Sequence, residues 1–213
     1  LRCGFPLSVL CGNEEFAVGK TTVNSGHISA LLEAVTFASP YSVADAIRSG
    51  YITARGGFRI GLCGSVITED GKICGYREFS SAAIRISREI IGCSDKVLEK
   101  LKYKGKFGSF LIISPPGFGK TTLLRDIIRT LSNGGKRVAL CDERSEIAAM
   151  YSGMAQFDVG YRTDILDACP KAEAARMLLR SMKPDVIVLD EITAPEDIAA
   201  MEKAANCGVD IIA

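Results

Sequence analysis

The sequence predicts an α/β protein: a phosphate-loop nucleotide-binding domain with a parallel sheet, residues 105–213, preceded by a smaller mixed α+β domain, residues 1–104. Three observations predict it. From residue 107 the chain alternates apolar runs with amphipathic stretches: "SFLIIS", "TTLLRDIIRTL", "KRVALCD", "AEAARMLLRSM", "DVIVLDE", "PEDIAAMEKAA" and "VDIIA". Short apolar runs without polar alternation suit strands buried on both faces, and strand–helix alternation makes their sheet parallel. Next, "SPPGFGKTT" stands between one such run and the helix after it. Lastly, residues 51–79 mix β-branched and aromatic residues with Gly-Gly, Cys-Gly and Asp-Gly turns, the composition of a small sheet.

The first domain is read in order. "LSVLC" and "EEFAVG" flank Gly12-Asn13, a β-hairpin pattern. "HISALLEAVTFA" sets Ile28, Leu31, Leu32 and Val35 on one helical face and ends at Ser39-Pro40, and "SVADAIRSG" predicts a second short helix closed by Gly50. After the sheet of residues 51–79, "AAIRISREIIG" is expected to run from strand into helix. "DKVLEKLKYKGKFGS" is rich in Lys and Gly, which puts the domain junction near 104 and makes Lys96, Lys100, Lys102, Lys104 and Lys106 a solvated linker face.

Composition excludes several function classes. With 26 Lys and Arg against 25 Asp and Glu, the chain has no long-range field to hold nucleic acid, so nucleic acid is not expected as a partner. No apolar run approaches the ~20 residues that span a bilayer; the expectation is a cytoplasmic protein that meets a membrane only through partners. The eight cysteines never fall within four residues of one another, so no C-x-x-C knuckle exists, and they are expected as buried or half-buried free thiols. His27, the single histidine, suits a surface or helix-capping role. The chain opens "LRCGFPL" without Met and stops in the strand-like "GVDIIA", so natural sequence is expected beyond both ends.

The tetrapeptide GKTT occurs twice, at residues 19–22 and 119–122. A phosphate loop needs a strand to aim it, glycines that let backbone N–H groups converge, and a helix starting at the Lys. The second copy meets these demands. "FLIIS" is the strand, Ser114, Pro115, Pro116, Gly117, Phe118 and Gly119 form the loop, and the helix starts at Lys120. Lys120 is expected on the β- and γ-phosphates of ATP and the Thr121 hydroxyl on Mg²⁺, with Thr122, in the helix's first turn, and residues 114–119 completing the nucleotide-binding set. Ser114 stands where the usual G-x-x-x-x-G-K-[ST] pattern has its first Gly. The first copy follows "NEEFAV" and leads into "VNSG", with no helix at Lys20, and is read as a chance match in a hairpin.

"DVIVLDE" supplies the partner site. Asp190 ends a buried strand at its carboxyl edge, where it can hold the Mg²⁺ water shell, and Glu191 can polarise the attacking water. "LCDERSEI" places Asp142, Glu143 and Arg144 at another strand end on the same edge. Thr193, Ala194, Pro195 and Glu196 read as a capping box without chemistry.

Together "IISPPGFGKTTLLRDIIR", "DERSEIA", "FDVGYRTDILDACPKAEAARMLLRSMKPDVIVLDEI" and "SGYITARGGFRIGLCG" resemble the stage III sporulation protein AA family of endospore-forming bacteria. The resemblance implies kinship to type II and type IV secretion ATPases, with a RecA-like motor domain behind the N-terminal domain. It also implies a self-assembled ring, a hexamer, in the cytoplasm of the mother cell, held to a membrane by membrane proteins of a sporulation channel. By the same resemblance Glu143 or Glu146 supplies an acid near the nucleotide. Gly57-Phe58-Arg59 and Ile84-Arg85 look like strands whose arginines reach it, which makes Arg59 and Arg85 charge-neutralising candidates beside Arg144 and Arg162. Three activities stay open: a Mg-dependent ATPase motor, an ATP-gated assembly platform with little hydrolysis, and a RecA-like DNA-associated ATPase. A small nucleotide kinase would need an acceptor site and lid arginines that the sequence does not display.

Overall fold

The computed structural model describes residues 1–36, 50–101 and 107–213. They divide into two compact units, Leu1–Ser87 and Arg88–Ala213. The helix expected over "SVADAIRSG" and the lysines at 102, 104 and 106 lie outside the described residues.

In the first unit β1 (Pro6–Cys11) and β2 (Glu14–Thr22) form the expected hairpin, pairing antiparallel across Gly12-Asn13. Helix α1 (Ser25–Thr36) starts where Asn24 and His27 cap each other: the Asn24 N–H donates to His27 Nδ1, and the His27 N–H donates to Asn24 Oδ1. The capping role expected of His27 is therefore seen. β3 (Tyr51–Ala54), β4 (Phe58–Glu69) and β5 (Lys72–Arg85) make an antiparallel sheet. Val23, Ile28, Ile52, Ile60, Leu62 and Ala82 form the core between sheet and helix.

The second unit begins earlier than residue 105. β5 ends at Arg85, residues 86–90 form no regular element, and the helix expected over "SREIIG" starts only at Asp95, as α2 (Asp95–Leu101). Leu98 of α2 is buried in the second core. The Asp126 carboxylate accepts the backbone N–H groups of Ser94 (2.8 Å) and Gly92 (3.2 Å). Burial alone would raise Asp126, but these bonds and Arg129 hold it down at about 2. Packing and polar anchoring thus assign residues 88–101 to the second unit.

Helix α3 (Lys120–Asn133) packs Leu124, Ile127, Ile128 and Leu131 on the sheet. The sheet is parallel, in the order β7-β6-β8-β9: β6 (Val138–Asp142), β7 (Thr163–Asp167), β8 (Val186–Leu189) and β9 (Asp210–Ile212). β6 and β8 are buried throughout, as continuous apolar runs predict. α4 (Lys171–Ser181) and α5 (Pro195–Asn206) cover a second cluster built on Ala139, Cys141, Ile187 and Leu189.

Four expectations change. "FLIIS" is not a strand buried on both faces. It meets β9 through a parallel bridge from Phe110 to Ile212, with the Ile112 N–H donating to Ala213 O at 2.7 Å, while Ile113 is 90% exposed. Among the described residues the segment borders no second strand. β7, "TDILD", is a strand that no apolar run in the sequence predicts. The cap of α5 uses Asp197 rather than Glu196, since Asp197 Oδ2 accepts the N–H groups of Thr193 (3.0 Å) and Ala194 (3.1 Å). Five cysteines are exposed; only Cys141 is buried, and burial pushes its thiol up to about 12.

Gly160 (φ 81°) lies against the end of α3, where an added Cβ would stand 2.5 Å from Ser132 Cβ and 3.0 Å from Arg129 O. Gly160→Ala should destabilise the protein by ~2–4 kcal/mol, through left-handed strain plus overpacking. Urea unfolding measures it, and an unchanged midpoint would refute the close packing.

Candidate nucleotide site

The loop ahead of α3 has the local geometry an anion requires. Gly117 (φ 80°) and Gly119 (φ 82°) take the left-handed conformation that turns successive backbone N–H groups toward one side. Helix α3 has no side-chain cap and no acid in its first turn. By contrast, α4 carries Glu173 and α5 carries Glu196 and Asp197 in that position. An uncapped helix start leaves unpaired N–H donors and the positive end of the macrodipole facing open space. Pro115, Pro116, Gly117, Phe118 and Gly119 are exposed, and Thr121 and Thr122 are half-buried at the helix start. Lys120 Nζ donates to the carbonyls of Ser114 (2.8 Å) and Pro115 (3.4 Å), so the ammonium spans the mouth of the loop. The other GKTT copy lies in β2, where Lys20, Thr21 and Thr22 are exposed strand residues.

Asp190 and Glu191 leave β8 at the same sheet edge. Parallel pairing of Phe110 with Ile212 and of Ile212 with Val188 sets Ser114 and Asp190 on one edge with β9 between them. Two strand spacings amount to ~10 Å. Asp190 is half-buried, and its carboxyl is pushed up to about 6, first by burial and then by the charges of Asp142, Glu146 and Glu191, against the pull of Lys171. Glu191 is exposed and accepts a 3.3 Å hydrogen bond from Arg144 Nη1. An exposed pair of this kind contributes ~0–1 kcal/mol to stability and is readily exchanged for another partner.

The loop after β6 is organised from inside. Asp142 is fully buried, and its carboxylate accepts the N–H groups of Glu146 (2.9 Å), Ile147 (3.1 Å) and Ala148 (2.9 Å). Burial pushes its carboxyl up against the pull of those amides. Ser145, at left-handed φ 53°, donates a short hydrogen bond to Asp167 on β7. Glu143 meets Lys171 Nζ at 2.7 Å.

Two residues overlooked in the sequence shape this edge. Arg125, on the buried face of α3, donates from Nε to Ile147 O (2.6 Å) and from Nη2 to Glu146 O (2.7 Å), with its guanidinium 4.1 Å above the Phe157 ring. Its signal was a cation inside the apolar stripe of Leu124, Ile128 and Leu131. Lys171 is buried at the start of α4, where acids are the rule, and that misplaced charge was its signal. Arg162 binds Gly135 O (2.9 Å) beyond the far end of α3, ~20 Å from Lys120 along a 14-residue helix, which removes it from the loop of its own chain. Arg59 and Arg85 belong to the other unit, directly opposite each other on β4 and β5; Arg59 is half-buried 3.5 Å above the Tyr51 ring, and Arg85 is exposed. Among the described residues no group of three or more His, Cys, Asp or Glu side chains could hold a metal by itself.

A parallel sheet that receives a glycine loop and an uncapped helix at its carboxyl edge defines a RecA-like phosphate-loop domain, here behind a smaller antiparallel unit. The chain belongs to the family described as Sporulation stage III, protein AA, whose family model matches residues 1–213. It is 43% identical over 196 residues to Stage III sporulation protein AA of Bacillus subtilis (strain 168), covering 90% of this chain and 63% of that protein. Solved structures of similar fold include the pilus retraction motor PilT with bound ADP (TM-score 0.68, 21% identity, 100% of this chain and 60% of that one). The Legionella pneumophila ATPase DotB is another (TM-score 0.58, 17% identity, 100% of this chain and 59% of that one). The chain therefore spans less than two thirds of each of these proteins. Among the described residues no helix is long and apolar enough to cross a membrane.

Proposed function

We propose that the protein is a Mg²⁺-dependent ATPase, the motor of a ring that drives assembly of, or transport through, a sporulation membrane channel from its cytoplasmic side. The observation that carries the reading is the uncapped start of α3 at Lys120, on the sheet edge that also bears Asp190 and Glu191. The sporulation setting rests on the family, and the motor reading draws on the fold shared with a pilus retraction motor and an ATPase.

In this reading the N–H groups of residues 117–121 and the Lys120 ammonium bind the phosphates. Thr121 and Asp190 would hold Mg²⁺, which when bound neutralises charge on the phosphate oxygens. The donor set fits such an ion. Asp190 sits among carboxylates whose charges raise it, and Mg²⁺ is commonly held by one or two protein oxygens together with phosphates rather than by a full protein cage. Glu191 would accept the proton of the attacking water once Arg144 leaves it for the phosphate. Glu143, paired with Lys171, acts on the edge through that lysine.

Glu191→Gln should preserve Mg·ATP binding and cut turnover ~10²- to 10⁴-fold, the range for a lost general base. Asp190→Asn should instead weaken the Mg²⁺ dependence of binding. Single-turnover hydrolysis and titration calorimetry separate the two effects; normal turnover in Glu191→Gln would refute the assignment. The ATP-gated platform is favoured by one observation, the Arg144–Glu191 bond that occupies the proposed base. It predicts negligible single-turnover hydrolysis in the unsubstituted protein.

A further inference from the structure

Lys171 is 4% exposed and opens α4, so its ammonium faces both desolvation and the positive end of the helix dipole. Such a placement is tolerated only if the partners offset it. Those partners are on separate loops. Nζ meets Glu143 Oε2 at 2.7 Å, one residue past the end of β6, and donates to Thr193 Oγ1 at 3.2 Å, beyond the end of β8. Thr193 is held in turn by Asp197, itself buried, whose Oδ2 accepts the Thr193 N–H at 3.0 Å. Glu143, Lys171, Thr193 and Asp197 line one cleft of about 300 Å³ beside the sheet edge.

The segment from Asp190 to Thr193 is consequently fixed at both ends. Its near end is the buried strand β8, and its far end is the Lys171–Asp197 grip on Thr193. We propose that Lys171 is a positioning residue for Asp190 and Glu191, tying the loop after β8 to Glu143 of the loop after β6. The functional half of this inference rests on the ATPase reading; the mechanical half does not.

The test uses the intact protein with Lys171→Met and Lys171→Arg, read by amide hydrogen exchange and by ATP binding and turnover. In Lys171→Met, exchange at residues 190–194 should rise ~10-fold or more, the loss expected of a charge-assisted hydrogen bond, while α3 stays protected. Turnover should fall ~10- to 100-fold through misplaced carboxylates, with the nucleotide dissociation constant unchanged. Lys171→Arg should recover protection and turnover together. Unchanged exchange at 190–194 overturns the proposal, and so does a uniform rise across α3 and the sheet, which would mark a merely structural lysine. Should Lys171→Met fail to fold, Thr193→Val removes only the hydroxyl, and undisturbed exchange at 190–192 in that variant overturns the proposal equally. If the unsubstituted protein binds ATP without turnover, the ATPase reading fails while the exchange result still decides the tether.

Discussion

Lys120→Ala should abolish ATP binding under conditions where Lys20→Ala binds as the unsubstituted protein does. The two lysines sit in the same tetrapeptide, so sequence identity cannot distinguish them; backbone geometry does. Lys120 begins a helix with no cap and no acid in its first turn, and its ammonium spans the mouth of a loop held open by two left-handed glycines. Lys20 lies on β2 as an exposed strand residue with no helix starting at it, so no helix end gathers backbone donors there. Truncating a charged group that meets a buried or oriented counter-charge costs ~2–5 kcal/mol, or ~30- to 4,000-fold in affinity. Equilibrium titration with a fluorescent ATP analogue measures both variants. Comparable losses would show that the first copy also meets nucleotide.

What could be read from the chain and what could not divides along the range of the interactions involved. The phosphate loop was legible because its requirements are local: glycines at given positions, a lysine, and the period of Leu124, Ile127, Ile128 and Leu131. β6 and β8 were legible as unbroken apolar runs. β7, by contrast, reads "TDILD", with every residue half-buried at the sheet's edge, so neither period-two alternation nor a continuous run marked it. "FLIIS" erred the other way: its composition matches a buried strand, but burial depends on what borders it, and its pairing is with β9 alone among the described residues. The unit boundary was hidden for a similar reason. The bonds that hold residues 92 and 94 reach Asp126, more than 30 residues away, and no local shift in composition reports them.

The site shows the same division. Asp190 and Glu191 were recognisable as acids ending a buried strand, whereas the lysine that grips their segment carries no motif. In the sequence Asp142 is one of three charges at a strand end; in the fold it is fully buried and builds the loop by accepting three amides. Its neighbours Glu143 and Arg144 each meet a charge from elsewhere in the unit, Lys171 and Glu191 respectively. Charge clusters at strand ends announce a site without dividing labour among its members; partners 28 and 47 residues away divide it.

Turnover should depend on association between subunits, with Arg85→Ala costing more than Arg59→Ala. Arg59 and Arg85 are direct cross-strand partners on β4 and β5, so the first unit carries two guanidinium groups at one place in its sheet. A phosphoryl-transfer transition state is an anion, and a guanidinium delivered to it accelerates the step by ~10³- to 10⁵-fold. Within the pair, Arg59 is half-buried over the Tyr51 ring while Arg85 is exposed, so Arg85 has the greater reach. Among the described residues Lys120 and Arg144 stand at the edge of the second unit beside the buried Arg125 and Lys171, and Arg144 is bonded to Glu191. On the proposed ATPase reading, a further cation supplied by a neighbouring subunit would complete charge neutralisation. Specific activity of the intact protein should rise with protein concentration if the donor is a neighbour, and collapse in Arg85→Ala while ATP binding persists. A flat concentration profile together with full activity in both variants would make each subunit self-sufficient and leave these arginines as features of the sheet alone.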